Sequence, residues 1–314
     1  MSLLNTLKIY QMKKFILFSI CCFMMVSLIL AQESQKESPI IAKGAKLIRL
    51  SDQYSFTEGP VVNKNGDVYF TDQPNNKIIK WSASDNTLSV FMDDAGRSNG
   101  MYFDKKGNLI TCADLDNQLW QIGMDKKVKV LVKDYKGKQL NGPNDVWIDK
   151  KGGVYMTDPF YKRDYWKRSM VSEQDGQCVY YLSPDKKKLT RAADNFKTPN
   201  GIIGTGDNQY LYVSDIADRK IYRYDIGSDA LLTNRKVMCE KNSDGMTIDN
   251  QGNFYISNEK GITVFNSKGE QIEQIPIDEK WTANVCFGGK NLDKLFITAS
   301  KSVYIIDMKV HGVR

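Results

Sequence analysis

Histidine is nearly absent from this sequence. The 314 residues contain one, His311, which lies close to the C-terminus. A Ser-His-Asp triad, a Cys-His dyad and a histidine-rich zinc site all need a well-placed imidazole, so this scarcity speaks against them. The stretch GRSNG (96–100) fits the G-x-S-x-G nucleophile motif. That motif needs a following helix and a downstream histidine, whereas a strand pattern follows here, so Ser98 is not a predicted nucleophile.

Paired cysteines are also lacking. Two of the six cysteines lie in the N-terminal apolar run, and the other four are more than forty residues apart: Cys112, Cys178, Cys239 and Cys286. This spacing excludes a zinc ribbon or a C-x-x-C redox motif. Each of the four lies in an apolar strand context, which favours buried free thiols, while disulfide pairing in an oxidising compartment is the alternative.

The chain lacks a large surplus of charge. Its net charge is +7. Residues 1–31 contribute +3 of this, because they contain three lysines and no acid, so the rest of the chain has a net charge of only +4. The remaining lysines occur as pairs beside glycine, a pattern typical of solvated turns rather than a nucleic-acid surface. No nucleic-acid partner is therefore predicted.

The N-terminus reads as a secretory signal peptide. Lys13 and Lys14 precede an apolar run over 15–30, which Ala31 and the polar stretch QESQKES follow. This run is shorter than the ~20 residues of a membrane span, and no lipobox surrounds its cysteines. We expect a signal peptide over 1–31 (with Met12 as an alternative start), a linker over 32–41 and a folded domain over 42–314. The mature protein is then periplasmic or secreted, with no membrane association after cleavage.

The folded part repeats a strand–turn–strand unit six times and shows no helical periodicity. The repeats read GPVVNKNGDVYFTD, NGMYFDKKGNLITCAD, NDVWIDKKGGVYMTD, NGIIGTGDNQYLYVSD, DGMTIDNQGNFYISN and NVCFGGKNLDKLFITAS. A period near 45 residues built from strands predicts an all-β six-bladed β-propeller. Because the last repeat supplies only three strands, we expect Ala45–Asp52 to pair as its outer strand and close the ring. The Asp- and Asn-rich turns lack the EF-hand pattern and are Asx-type hairpin turns.

One polar residue opens each repeat at the same phase, and we call these six residues the axial ring: Glu58, Asn99, Asn144, Asn200, Asp244 and Asn284. The innermost strands of a propeller line its channel, so these side chains should face a common point. Carboxylate and carboxamide oxygens suit a hard divalent cation, and calcium accepts neutral amide oxygens more readily than magnesium does. The alternative is that they merely cap strand starts, but six in phase favour a central calcium site.

A second set recurs 14 or 15 residues later, and we call it the outer ring: Asp72, Asp114, Asp158, Asp215 and Asn258. These residues follow the second strand of each repeat, just before a loop. The favoured interpretation is structural, with the side chains holding turns and joining adjacent blades.

The chain resembles the family of gluconolactonases, regucalcin (senescence marker protein) and luciferin-regenerating enzyme, and the bacterial gluconolactonases most of all. The matching stretches are FTEGPV (56–61), LNGPNDVWID (140–149), YMTDPFY (155–161), TPNGI (198–202), LYVSDI (211–216), SDGMTID (243–249) and CFGGKNLDKLFIT (286–298). The resemblance implies that Glu58, Asn144, Asn200 and Asp244 hold the metal. The sequence departs from the regucalcin branch at Gly142, where that branch has a substrate-binding arginine.

The resemblance further implies calcium-dependent hydrolysis of a sugar lactone such as glucono-1,5-lactone, with other divalent cations as alternatives to calcium. A bound cation would polarise the lactone carbonyl, and Asp244 would orient or deprotonate the attacking water. Hydroxyl groups of the substrate are expected to meet Asn99, Tyr161, Asp215 and Asn284. Two alternatives remain: a phosphotriesterase or other esterase on the same metal, and a non-catalytic propeller that binds a ligand around a structural calcium.

Overall fold

The computed structural model describes residues 37–313, so the predicted signal peptide over 1–31 lies outside the described residues. Residues from Ile40 onward form one compact unit; of the other unit, Met1–Pro39, only residues 37–39 are described. Ile40 is fully buried and Ile41 forms a β-bridge with Met308, so this compact unit begins two residues before position 42. No α-helix with the length and hydropathy of a membrane span occurs in this part of the chain.

The described residues form six four-stranded antiparallel sheets, and we number the strands along the chain. Strand β1 is Ile48–Ser51. Blade 1 contains β2 (Thr57–Val62), β3 (Val68–Asp72), β4 (Lys77–Trp81) and β5 (Leu88–Asp93). Blade 2 contains β6 (Ser98–Phe103), β7 (Leu109–Ala113), β8 (Gln118–Ile122) and β9 (Val128–Val132). A two-stranded hairpin follows, made of β10 (Asp134–Tyr135) and β11 (Lys138–Gln139).

Blades 3 to 6 repeat this order from the axis outward. Blade 3 contains β12 (Val146–Ile148), β13 (Val154–Asp158), β14 (Gln177–Leu182) and β15 (Leu189–Phe196). Blade 4 contains β16 (Pro199–Gly204), β17 (Tyr210–Asp215), β18 (Lys220–Ile226) and β19 (Leu232–Cys239). Blade 5 contains β20 (Met246–Ile248), β21 (Phe254–Asn258), β22 (Gly261–Phe265) and β23 (Gln271–Ile275). Blade 6 contains β24 (Thr282–Gly288), β25 (Lys294–Ala299) and β26 (Ser302–Asp307).

The sixth blade takes its fourth strand from the beginning of the domain. Strand β1 pairs antiparallel with β26, with Ile48 opposite Ile305, and this sheet has the order β1-β26-β25-β24. The prediction that Ala45–Asp52 supplies the closing strand is therefore confirmed. The pairing covers the edge that β26 would otherwise expose and gives the sixth blade four strands like the other five. The six-bladed β-propeller predicted from the repeat is thus the observed fold.

The core lies between neighbouring blades, where alternate residues of facing sheets interdigitate. One such cluster joins blades 2 and 3 through Ile110, Cys112, Val154 and Cys178. The four cysteines of the described residues are all free, with Cys112 and Cys178 buried and Cys239 and Cys286 half-buried. No disulfide therefore contributes to this fold, and burial of apolar surface between the blades supplies its main stabilisation.

A long connection distinguishes blade 3 from the others. Residues 159–176 join β13 to β14, where the corresponding connections of the other blades are short. Asp158 and Cys178 are direct partners in the β13–β14 ladder, so the connection leaves and rejoins the blade at one end. This insertion explains the unusually long third repeat. It places Tyr161 against Asn200 of the axial ring, and Tyr165 and Trp166 against Asp114.

Candidate active site

The fold brings all six residues of the axial ring to one end of the central channel. Four of them lie within the innermost strands β2, β6, β16 and β24, while Asn144 and Asp244 each lie two residues before such a strand. Because every innermost strand starts at the same end of the channel, the ring follows directly from the repeat phase. Glu58, Asn99, Asn144, Asn200 and Asn284 are buried, and Asp244 is half-buried.

Contacts between neighbouring blades hold the ring together. The amide Nδ2 of Asn284 donates to Glu58 Oε2 at 3.0 Å, which joins blades 6 and 1. The backbone N–H of Gly100 donates to the carbonyl oxygen of Asn144 at 2.8 Å, which joins blades 2 and 3. These pairs are 226 and 44 residues apart in sequence, so only propeller closure brings the first of them together.

At two places, a glycine next to a ring residue allows neighbouring blades to approach each other closely. A Cβ atom at Gly59, whose φ is +50°, would lie 2.1 Å from the carbonyl oxygen of Asn99. A Cβ atom at Gly245 would lie 1.8 Å from Asn284 Oδ1. Real Cβ atoms do not approach other atoms so closely, so the blades pack around the axis only because these positions lack a side chain.

The four predicted metal ligands keep oxygen atoms that the protein itself does not use. Glu58 accepts hydrogen bonds at Oε2 from Gly59 N and from Asn284, so Oε1 has no hydrogen-bond partner within residues 37–313. Asn200 donates through Nδ2 to the Tyr161 hydroxyl at 3.0 Å, which leaves its Oδ1 unbonded in the same range. The side-chain amide of Asn144 makes no hydrogen bond to any described residue, although it is only 7% exposed. A buried amide without a partner is costly unless something else binds it.

The carboxyl groups of the ring repel one another. Burial and the nearby Asp244 raise the pKa of Glu58 well above its usual range. Burial likewise raises the pKa of Asp244 to about 6, opposed by hydrogen bonds from Trp281 and Asn200 and by the positive charge of Arg163. Neither carboxylate has a salt-bridge partner among the described residues. Two buried acids that lack an ion-pair partner and lie beside amide oxygens form a donor set that fits a hard divalent cation.

Asn284 and Asn99 differ from the four predicted ligands. Asn284 uses both ends of its amide, since Nδ2 donates to Glu58 and Oδ1 accepts from Val285 N at 2.8 Å. It therefore positions Glu58, which is consistent with its absence from the predicted metal set. Asn99 is buried at the ring, and its side chain has no hydrogen-bond partner in residues 37–313.

A third acid at the ring, Asp145, was missed by the sequence analysis. Its carboxylate accepts backbone N–H groups from Val146 at 2.8 Å and from Ile202 at 3.1 Å, and it lies directly beside Gly100. Burial raises its pKa to about 7. The sequence does contain a signal for Asp145, because the residue directly after the ring residue is glycine in four of the other repeats. Asp145 thus ties blade 3 to blades 2 and 4 and adds negative charge beneath the ring.

Aromatic residues from outside the repeats surround the same end of the channel. Trp281 donates its indole Nε1 to Asp244 Oδ2 at 2.6 Å, which fixes the orientation of that carboxylate. The Arg163 guanidinium lies 5.1 Å from the ring centre of Tyr161, a cation–π contact. Tyr161 was predicted from the sequence, whereas Trp281 and Arg163 were not, because no repeat position identifies them.

The outer ring serves mainly to hold the backbone. The carboxylates of Asp72, Asp158 and Asp215 each accept two N–H groups from the segment before the first strand of their own blade. For Asp215 these donors are Lys197 N at 2.8 Å and Thr198 N at 2.9 Å. Asp215 therefore has the structural role favoured for its set, and its suggested contact with a substrate stays a prediction.

Beyond the ring, the central channel widens into a cavity of about 420 Å³. Its wall is mostly apolar, with Val61, Met101, Val146 and Val285 among the lining residues, and Asp145 and Asn284 lie at its ring end. The described residues contain no cluster of three or more His, Cys, Asp or Glu side chains that could hold a metal. The predicted metal set is of a different kind, with two carboxylates and two amides.

Comparison with known proteins identifies relatives of this chain. Residues 56–301 match the model of the SMP-30/Gluconolactonase/LRE-like region. The chain is 32% identical over 292 residues to a gluconolactonase of Zymomonas mobilis, covering 84% of this chain and 81% of that protein. It is 27% identical over 251 residues to diisopropyl-fluorophosphatase of Loligo vulgaris, covering 71% and 79% respectively.

Solved structures agree with these sequence relationships. A gluconolactonase from Xanthomonas campestris superposes with a TM-score of 0.79 at 27% identity, covering 85% of this chain and 90% of that protein. The family-model match over residues 56–301 includes all six positions of the axial ring.

Proposed function

Because the chain belongs to the SMP-30/gluconolactonase/LRE-like family, we propose that it is a calcium-dependent lactonase acting on a sugar lactone such as glucono-1,5-lactone. The observation that carries this proposal is the axial ring itself. It presents one buried and one half-buried carboxylate, neither with a salt-bridge partner among the described residues, beside amide oxygens without a hydrogen-bond partner there. The relatives support this proposal, since a gluconolactonase matches most of the chain.

Glu58, Asn144, Asn200 and Asp244 are the residues that would hold the ion. When bound, calcium would supply Lewis-acid polarisation of the lactone carbonyl and offset the negative charge that develops on its oxygen. Four protein ligands leave room for further oxygen ligands, because calcium takes six to eight. An ion held mainly for structure would be enclosed by protein, whereas this ring faces the end of the channel.

Asp244 is suited to act as the general base. Its Oδ2 accepts from Trp281 Nε1, which fixes the orientation of the carboxylate. It would take a proton from the attacking water while the water oxygen bonds to the carbonyl carbon. The ring C–O bond then breaks, and the proton returns to the departing alkoxide oxygen. Asn99 and the Tyr161 hydroxyl, which already accepts from Asn200, would contact hydroxyl groups of the substrate.

A second candidate function is phosphotriester hydrolysis, and the match to diisopropyl-fluorophosphatase favours it as the alternative. A Lewis acid and an activated water serve a phosphoryl centre as well as a carbonyl. Turnover of glucono-1,5-lactone, δ-valerolactone and a fluorophosphate, each with and without a chelator, separates the two. We expect lactone turnover that chelation abolishes and calcium restores. Turnover of the fluorophosphate alone would select the alternative, and turnover of none would favour a binding propeller.

We also propose that the protein is exported to the periplasm or beyond. The support is the order of Lys13 and Lys14, the apolar run over 15–30 and Ala31. N-terminal sequencing of native material should find a mature start at or near Gln32. A membrane fraction that retains residues 12–31 would contradict this proposal.

A further inference from the structure

Among the four aspartates of the outer ring, Asp114 does not do what the other three do. In blades 1, 3 and 4 the aspartate accepts two backbone N–H groups from the segment before its own first strand. In blade 2 the N–H of Arg97 in that segment donates instead to Asn76 Oδ1 at 2.6 Å. The carboxylate of Asp114 is thereby released from the structural task of its position, although it is only 3% exposed.

Asp114 instead organises polar groups that come from two other blades. Its Oδ2 accepts from the Tyr165 hydroxyl and from Gln73 Nε2, the latter at 3.3 Å, and it forms a salt bridge with Arg163 Nε at 3.2 Å. Tyr165 and Arg163 belong to the 159–176 connection, and Gln73 follows β3 of blade 1. A buried carboxylate with two side-chain hydrogen bonds and a salt bridge is a built polar site rather than a solvated surface.

This cluster reaches the axial ring through Arg163. The guanidinium lies 5.1 Å from the ring centre of Tyr161, whose hydroxyl accepts from Asn200 at 3.0 Å. Its positive charge also acts on Asp244, whose pKa it lowers. The side chain of Arg163 is 33% exposed, and its two terminal nitrogens have no hydrogen-bond partner among residues 37–313. Those nitrogens are therefore available to a ligand bound at the ring.

Gly142 is what allows the cluster to occupy this place. A Cβ atom there would lie 3.0 Å from Trp166 and 3.2 Å from Asp114 Oδ1, so a larger residue would displace one or the other. Arg97 adds a second guanidinium, 4.0 Å from the ring centre of Tyr165.

We propose that Arg163, held in place by Asp114, forms a subsite for the hydroxyl oxygens of a polyhydroxylated lactone bound at the axial ring. The proposal rests on the lactonase function proposed above. Arg163 donates from its terminal nitrogens, and Asp114 acts as a positioning residue. Because the Asp114 carboxylate neutralises that guanidinium, the subsite suits uncharged hydroxyl groups rather than a second carboxylate. It would make the enzyme selective for sugar lactones over lactones with a bare ring.

The test compares glucono-1,5-lactone with δ-valerolactone, which has the same ring size without hydroxyl groups. Wild-type enzyme should have a higher kcat/KM for the sugar lactone. Arg163→Gln should lower kcat/KM for the sugar lactone about 10–100-fold, mainly through KM, because charge-assisted hydrogen bonds of this order are lost. It should change kcat/KM for δ-valerolactone little. Asp114→Asn should also lower the ratio of kcat/KM for the sugar lactone to kcat/KM for δ-valerolactone, but by a smaller factor.

Two further variants keep the result interpretable. Asp72→Asn changes the same repeat position in blade 1, where the carboxylate holds backbone, so it should leave the ratio of the two lactones unchanged. Arg163→Lys keeps the positive charge but loses the forked pair of guanidinium nitrogens, so its ratio of kcat/KM for the two lactones should lie between those of wild type and Arg163→Gln. It replaces Arg163→Gln in the test if that variant does not fold. An equal loss on both lactones, or equal wild-type rates on both, would overturn the subsite and leave the lactonase function intact. Wild-type protein that hydrolyses neither lactone, and that binds no D-gluconate by calorimetry with calcium present, would overturn both.

Discussion

The axial ring and the outer ring are both built from acidic and amide residues at a fixed phase of the repeat, the first in all six blades and the second in blades 1 to 5, and they have different tasks. Asp158 of the outer ring accepts N–H groups from Asn141 at 2.9 Å and Gly142 at 2.8 Å, so its oxygens are used within its own blade. Asp244 of the axial ring accepts only side-chain hydrogens, and it faces other acids across the axis. What separates these two acids is whether backbone N–H groups lie within reach. Asp158 accepts two of them and stabilises the fold, whereas Asp244 accepts none and is left for a ligand.

Asp244→Asn should show the largest effect, because it changes the proposed base while keeping an oxygen and the shape of the side chain. Lactone kcat should fall by about 10²–10⁴, the usual contribution of a positioned general base. Calcium affinity should fall less. Steady-state turnover and calcium titration of the same preparation measure both. Full activity in this variant would break the assignment of catalysis to the axial ring.

Glu58→Gln should weaken calcium binding more than it impairs the catalytic step, which is the reverse of the expectation for Asp244→Asn. Loss of one carboxylate from the proposed ligand set should weaken calcium binding by about 10–100-fold, the size of a lost charge-assisted contact. Raised calcium should then partly restore turnover, because the base remains. A calcium titration followed by lactone turnover at each concentration checks this. A loss of turnover that calcium does not relieve would move Glu58 from metal binding to catalysis.

Asp158→Ala should affect folding instead of catalysis. It leaves the buried N–H groups of Asn141 and Gly142 without an acceptor, at a cost of about 1–3 kcal/mol for each group. Urea denaturation should therefore show a lower free energy of unfolding. Asn258→Ala, which removes the acceptor of one N–H group, should cost about half as much. Unchanged stability in Asp158→Ala would show that the outer ring does not hold the blades.

Calcium binding near pH 6 should release protons, which is the smallest of the expected effects. Burial raises the pKa of Glu58 well above its usual range and that of Asp244 to about 6, so near pH 6 Asp244 is about half protonated in the metal-free protein and Glu58 binds protons more readily than an exposed glutamate does. A cation favours the carboxylate form, and binding must expel the protons that these groups carry. Calorimetry in buffers of different ionisation enthalpy should detect a net release of protons. Release that persists in Asp244→Asn combined with Glu58→Gln would place the titration elsewhere.

The repeat made most of the fold and the axial ring predictable. A period near 45 residues gives the blade count, the phase gives the ring, and the missing strand of the last repeat gives the pairing of β1 with β26. These features follow from local patterns that recur. Glu58 and Asn284, for example, meet at the axis because both open a repeat.

The rest depends on residues that break the repeat. Arg163 and Trp281 lie in connections of irregular length, so no periodicity in the sequence predicts where their side chains lie in the fold. Asp114 has the same residue type and spacing as its counterparts, and its different task arises because Asn76 of the neighbouring blade takes over the Arg97 N–H. Such an exchange of partners is settled by packing between blades and leaves no local pattern in the sequence.

The central claim, that the axial ring binds one catalytic calcium ion, is tested most directly by titrating metal-depleted protein with calcium. Calcium binding by calorimetry and lactone turnover should be followed on the same samples. We predict one ion bound per chain, with turnover rising from near zero in proportion to the occupied fraction. Full turnover in exhaustively chelated protein, or calcium binding that leaves turnover unchanged, would contradict the account.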